Sequence, residues 1–386
     1  MLRVGAFEED SMLRMRVLVP LFLGLAYLIA LLGLTNWARA DLEAQETGLN
    51  PAGDAYELNL DSQGMLWISD YSAGEIWRVD PSAGSYTIFE VGGNPSDARS
   101  DGAGLVWWAD FSSNQLGRLS VAEGEASIWE IPGTTSLYGT GLDAGGNTWV
   151  TDASGPYLYR LAPGSSEVCT YTLPLDGLSD YLVVDGSQVW LGDWLNSRID
   201  RLDTVSETVT WWELPAGSYP EGMALDGNGN LWWADPNLGE LARLEPGANR
   251  LITYTQSVVQ HPVMISVAGE QVWYTDQSQS VGMLDPRLDP GTVITIPHSS
   301  ELASPSCAPQ LPPTTHTVTV TNGLVTWNTA TYTTLFDQNG WQVFQLPTGS
   351  SPWGIAAEDS VWIVDTGRRV LARIGERRVY LPLILR

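Results

Sequence analysis

A chain of 386 residues with 45 acids, 19 arginines and no lysine carries a formal charge of −26. A field so acidic repels phosphate backbones and anionic headgroups, which argues against nucleic acid and anionic membrane surfaces as partners. Three histidines and two cysteines, none grouped in sequence, leave little material for a zinc centre or a Cys–His nucleophile.

The first element is apolar. Residues 17–34, VLVPLFLGLAYLIALLGL, hold no charge, follow Arg14 and Arg16, and precede Ala38-Arg39-Ala40, a small-residue cleavage pattern. Residues 1–40 are therefore expected to be a secretory signal cut after Ala40, with an uncleaved anchor as the alternative, since the run is just long enough to span a bilayer. Initiation at Met12 would place MLRMR directly before the apolar core. Loss of residues 1–40, which hold three acids and four arginines, leaves 42 acids and 15 arginines, a net charge of −27. A secreted or cell-surface location also permits a bridge between Cys169 and Cys307, a pairing that the sequence leaves open.

From residue 67 one phrase recurs: LWISD at Trp67, VWWAD at Trp107, TWVTD at Trp149, VWLGD at Trp190, LWWAD at Trp232, VWYTD at Trp273 and VWIVD at Trp362. The steps between tryptophans are 40, 42, 41, 42, 41 and 89 residues. A period near 41 is what four short strands and their turns occupy, the size of one propeller blade. Each unit reads as an inner apolar segment such as EGMALD, the Trp strand, a third strand such as GELARLEP and an alternating outer strand such as LITYTQ. The reading is all-β: a β-propeller of four-stranded blades over residues 41–374, seven blades preferred and eight possible. One tryptophan per unit fits the wedge between twisted blades, with its indole N–H bonded to a nearby loop. The aspartate three residues on is expected to accept backbone N–H groups in the following turn.

The 89-residue step holds an insertion, placed at about residues 298–342 before the last blade. GTVITIP, residues 291–297, reads as the outer strand of the sixth blade, so the insertion would lie on the face where inner strands begin and act as a lid. If WQVFQLP is that outer strand instead, the lid role is lost. The eight-blade alternative builds a degenerate blade from residues 315–347 with Trp327 as its wedge. Ring closure is open between residues 43–50, EAQETGLN, and the tail RRVYLPLILR; residues 375–386 read as a strand or a sorting tail.

The tandem phrases YPEGMALDGNGNLWWADPNLGELARLEP and SPWGIAAEDSVWIVDTGRRVLARI resemble the streptogramin B lyase (virginiamycin B lyase) family of seven-bladed propellers, over residues 50–374 apart from the insertion. The resemblance implies opening of a cyclic depsipeptide by elimination, with a histidine base and a magnesium ion held by acids, because a weakly acidic carbon needs both a base and positive charge on the neighbouring oxygen. The family histidines fall here at Val263 and Trp353, and the metal ligands at Ser351 and Thr366. The catalytic set is therefore unmatched, although Tyr56 matches a substrate-contacting tyrosine of the family.

Counting back from each Trp strand gives one inner-strand position per unit: Tyr56, Ser96, Tyr138, Asp180, Glu221, Val263 and Trp353, a ring expected to line the channel mouth. Tyr56, Ser96, Tyr138, Asp180, Glu221 and Trp353 are the candidate substrate-binding residues; Asp180 and Glu221 could share Mg²⁺ or Ca²⁺. His261 is the one candidate base, and His298 and His316 fall in the insertion. The expected function is an exported, monomeric binding module that takes a small molecule, glycan or extracellular protein at the mouth, touching a membrane only through an uncleaved N-terminus. The alternative is an active divalent-metal-dependent lyase or a gluconolactonase-like lactone hydrolase.

Overall fold

The computed structural model describes residues 41–49, 53–174 and 177–374, so the expected signal segment 1–40 and the tail 375–386 lie outside the described residues. Blade 1 consists of Ala55–Leu60, Leu66–Asp70, Glu75–Asp80 and Ser85–Glu90, written from the inner strand outwards. Blades 2 to 6 start from the inner strands Pro95–Ser100, Leu137–Leu142, Ser179–Asp185, Met223–Leu225 and Pro262–Ala268, and blade 7 from Pro352–Ala357. Each inner strand contacts that of the next blade, and Pro352–Ala357 contacts Ala55–Leu60, so seven four-stranded units close a ring.

The Trp strands are buried from the residue before the tryptophan through the closing aspartate, whereas outer strands mix buried and exposed residues. Every repeat tryptophan packs into the cluster between its own blade and the next: Trp67 against Ala98 and Val106, Trp149 against Leu182 and Val189, Trp362 against Leu58 and Ile68. The indole N–H groups of Trp67, Trp149 and Trp232 donate to Asp61, Asp143 and Asp226 in the preceding turn, at 2.9, 2.9 and 3.1 Å. In six blades the cross-strand neighbour of that tryptophan is an arginine lying over its ring, Arg78 on Trp67 and Arg243 on Trp232 among them, at 5.9 and 5.2 Å. The stem covers apolar surface while the charge meets the ring face. In blades 2 and 6 a second aromatic follows the tryptophan, and its cross-strand partner is glycine: a Cβ on Gly117 or Gly282 would collide with the ring of Trp108 or Tyr274.

The strand-ending aspartates do more than cap a turn. Asp235 accepts the N–H of Leu238 in the turn after it and the N–H of Tyr219 in the loop entering the inner strand of the same blade, both at 3.0 Å. The same double clamp recurs at Asp70, Asp110, Asp193, Asp276 and Asp365, all at most 4% exposed.

Ring closure falls to the N-terminal strand Leu42–Gly48, which pairs with Val370–Ile374 as the outer strand of blade 7. Arg368 grips Glu46 with two 2.7 Å bonds across this seam, and Tyr332 adds a third to Glu46 at 2.9 Å.

The insertion departs from expectation. After Ser280–Leu284, the third strand of blade 6, the chain leaves the blade and runs once round the rim in reverse blade order. Thr292–Thr295 adds a fifth strand to blade 5, His298–Leu302 to blade 4, Ser306–Pro309 to blade 3, Thr314–Thr317 to blade 2 and Thr319–Leu324 to blade 1. Asn328–Gln338 then pairs first with Leu42–Gly48 of blade 7 and next with Trp341–Gln345, the outer strand of blade 6. The residues of GTVITIP are thus a fifth strand on blade 5, WQVFQ is the outer strand, and the insertion is a girdle inside blade 6 rather than a lid before the last blade. No eighth blade forms among the described residues: Trp327 packs against the cluster between blades 7 and 1, 5.8 Å from Trp362. The physical reason is edge satisfaction, since each blade ends in a row of unpaired backbone groups that a passing strand can pair. Cys169 and Cys307 face each other in the blade 3 register and are joined, so the girdle is covalently tied to the ring.

Two outcomes follow. Trp149→Ala, at a side chain with 0% exposure, should lower stability by about 3–5 kcal/mol in denaturant unfolding. Cys307→Ser should cost about 2–5 kcal/mol by freeing a long loop, and limited proteolysis should then cut first within residues 286–340; an unchanged cleavage pattern would show that strand pairing alone holds the girdle.

Candidate functional site

Six of the seven predicted ring residues sit second in their inner strands, and Glu221 lies just before Met223–Leu225 with its N–H on the Ala234 carbonyl at 3.0 Å. The inner strands of blades 1, 2, 3, 4, 6 and 7 have a register shift at this point, between Ala55 and Leu58 in blade 1 and between Ser179 and Leu182 in blade 4. A bulge breaks the alternation of side chains and re-aims two consecutive residues. Hydroxyls of the preceding blade hold the bulged backbone: Thr151 donates to the Asp180 carbonyl and Thr275 to that of Trp353, each at 2.7 Å.

The structure brings Tyr56, Tyr138, Asp180, Glu221 and Trp353 into one electrostatic neighbourhood and adds two residues that counting missed, Glu57 and Tyr181. Both directly follow the ring residue of their blade, a position that is glycine in blades 3, 5 and 7 at Gly139, Gly222 and Gly354. That contrast of Glu and Tyr with glycine was the available signal. Tyr56 lies on Trp353 with ring centroids 4.3 Å apart, and Tyr138 meets Tyr181 edge-on at 5.1 Å with their hydroxyls 2.9 Å apart. Further out, Trp194 stacks on Tyr219 at 5.5 Å and Phe111 meets Tyr138 at 5.5 Å.

Ser96 is a correction: it is 2% exposed and its hydroxyl lies within hydrogen-bond reach of two carbonyls, Tyr138 at 2.8 Å and Ala109 at 3.1 Å, so it is taken up between blades 2 and 3 and not by a ligand. Val263 is buried. His261 is exposed in the loop entering blade 6, where its backbone N–H donates to Asp276. His298 and His316 ride on the girdle at the rims of blades 4 and 2, away from the ring. A cleft of about 540 Å³ is lined by Leu238 and Thr255 of blade 5 and by Gln260 in the loop leading to blade 6, and by none of the ring residues.

Burial shapes the acids. It pushes Glu221 up to about 8, assisted by Asp180, and Asp180 to about 6 against the opposing Trp194 indole. Glu57 is 2% exposed and is raised by burial and then by Asp97, whereas Asp97 itself takes bonds from Asn59, Thr140 and Arg99. Glu57 and Glu221, raised the furthest, hold protons at neutral pH that ordinary carboxylates release.

The profile of the virginiamycin B lyase family matches residues 43–306. The chain belongs to the virginiamycin B lyase family. A catalytically inactive variant of virginiamycin B lyase from Staphylococcus aureus, solved with quinupristin, is similar at 16% identity and a TM-score of 0.66, covering 86% of this chain and 98% of that one. A streptogramin B lyase structure is similar at 18% identity and a TM-score of 0.66, covering 89% and 100%. No curated protein matches. These likenesses concern the fold, and the residues must answer for the chemistry. Where the family resemblance implies metal ligands, Thr366 bonds the Ser351 carbonyl through both its N–H and its hydroxyl, at 3.0 and 2.9 Å, and Ser351 gives its N–H to Asp365. Two neutral hydroxyl residues tied to one another do not fit a divalent ion. Asp180 and Glu221 gather no third ligating His, Cys or carboxylate among the described residues; the three-donor group present there is Glu167 with Cys169 and Cys307, whose sulfurs are consumed by their bond.

The raised Glu57 carboxyl gives a signed prediction. Its protonated form is favoured in the fold, so its stabilising contribution is present below the unfolded value near 4.3 and is lost as pH rises through the raised folded one. Glu57→Gln should therefore gain on the parent in thermal unfolding between pH 5 and pH 8.5. A constant gap would mean that Glu57 titrates as an exposed acid.

Proposed function

We propose that this propeller is a recognition module that captures a small, ring-bearing ligand at its channel mouth and does not run the family's elimination. The observation that carries the reading is the tilted Tyr56–Trp353 pair beside Asp180 and Glu221, an apolar platform flanked by polar groups of the kind that orients a ligand. Neutral Val263, Trp353, Ser351 and Thr366 stand where the resemblance implies base and metal, which supports binding over turnover. The Cys169–Cys307 bridge supports an oxidising, extracytoplasmic setting, in line with the reading of residues 1–40 as a signal.

A family relative was solved with quinupristin, which makes that compound the first probe of catalysis. Incubated with the full chain and Mg²⁺, quinupristin should remain intact by mass spectrometry; a ring-opened product that EDTA suppresses would establish the metal-dependent lyase instead. A thermal-shift screen of sugars and aromatic small molecules should return ligands whose effect disappears in Tyr56→Ala/Trp353→Ala. If every hit survives that double variant, the mouth is not the site.

A further inference from the structure

We infer that the Cys169–Cys307 bridge is a thiol-exchange site and the latch of the girdle: an external thiolate, one whose body carries positive charge, attacks Sγ of Cys307, and Cys169 departs as a thiolate held by Arg160.

Trp149, Arg160, Cys169 and Cys307 are direct cross-strand neighbours on the four outermost strands of the blade 3 sheet, so they form one row on one face. Cys169 is 4% exposed and packs with Leu158, Tyr171 and Leu182, while Cys307 is exposed on the last strand. In disulfide exchange the attacking sulfur approaches in line, from the side opposite the sulfur that leaves. For Cys307 that side is the open rim. For Cys169 it is the neighbouring strand Tyr157–Leu161, where Arg160 stands.

The charges around the bridge favour the same direction. Arg160 donates through Nη2 to Cys169 Sγ at 3.5 Å, and its buried Nε has no acceptor among the described residues. A guanidinium stabilises a thiolate, and the sulfur with the more stable thiolate leaves faster. Sister blades show what is particular to blade 3. In blades 1 and 2 the same row ties ring to girdle by hydrogen bonds alone, Thr87 to Asn322 at 2.7 Å and Ser127 with Thr315 at 3.3 Å. On the solvent side, a carboxylate oxygen of the exposed Glu167 lies within 4.8 Å of both sulfurs. That carboxylate, in a chain of charge −26, repels an anionic thiol and draws a cationic one.

The step balances without an oxidant. The thiolate forms a bond to Cys307 Sγ as the old S–S bond breaks, and the electron pair passes to Cys169; a second thiolate then removes the first as a small disulfide and frees Cys307. Little else fastens the girdle at this point. Ser306–Pro309 is four residues long, exposed throughout, preceded by Pro305 and closed by a proline with no N–H to give.

The test treats the full chain with cysteamine or with mercaptoacetate at equal thiolate concentration, quenches with iodoacetamide and maps the peptides by mass spectrometry. The mixed disulfide should sit on Cys307 and the alkyl group on Cys169, in about tenfold or greater excess over the reverse. Cysteamine should open the bridge faster than mercaptoacetate, and Glu167→Gln should narrow that gap. Arg160→Gln should slow opening by about tenfold and Arg160→Lys should restore most of the rate; a role confined to packing on Trp149 would lower the thermal midpoint and leave the opening rate alone. Should Arg160→Gln fail to fold, the adduct map of the parent and the Glu167→Gln comparison still decide. Adducts shared equally by the two sulfurs would overturn the directed exchange. A bridge that resists millimolar thiol in the native chain and opens only in denaturant would make it a static cross-link. Opening without faster proteolysis within residues 286–340 would overturn the latch.

Discussion

Everything in this ring hangs on the buried aspartate that ends each Trp strand. In six of the seven blades it accepts backbone N–H groups from two sides, the turn that follows and the loop that feeds the inner strand, and so ties the outward course of a blade to its start. A backbone donor inside a protein must be paired, and one short carboxylate pairs two or more of them at once. Because the inner-strand entry is held this way, the two bulged residues beyond it are held as well. The tryptophan beside the aspartate supplies apolar contact with the next blade, while the aspartate supplies the geometry on which that contact depends.

The girdle addresses a different constraint. A propeller of separate sheets has seven outer edges, and here one excursion of the chain pairs with the outer edges of the other six blades before completing the blade it left. Its strands are largely exposed and carry few charges, so the gain lies in backbone pairing and in the single covalent tie to blade 3 more than in buried apolar area. Strand addition of this type is blind to side-chain identity along the backbone, which is why the Thr- and Val-rich stretch could be mistaken for a blade of its own.

At the mouth, the same architecture concentrates groups that the sequence scatters over three hundred residues. Tyr56 and Trp353 come from the two blades that meet where the ring joins, and Asp180 and Glu221 from blades 4 and 5. Equivalent residues of a repeat are brought to one axis, so a single substitution in a repeat changes the chemistry of a shared site. That is how a chain can keep the virginiamycin B lyase fold while presenting Val263, Ser351 and Thr366 at positions where the family resemblance implies a base and metal ligands.

The sequence by itself determined the fold class, the repeat length, the wedge tryptophans and the ring positions Tyr56, Tyr138, Asp180, Glu221 and Trp353, because these follow from period and strand alternation, which are local. It failed at Glu57 and Tyr181, since a bulge suspends alternation and leaves no mark except glycine in sister blades. It also failed at Ser96, whose hydroxyl is taken up by carbonyls of blades 2 and 3. Closure by Leu42–Gly48, the circuit of the girdle and the Cys169–Cys307 bridge were decided by tertiary structure alone. Each depends on which exposed strand edge is nearest in space, and an edge carries the same N–H and C=O groups whatever its residues are.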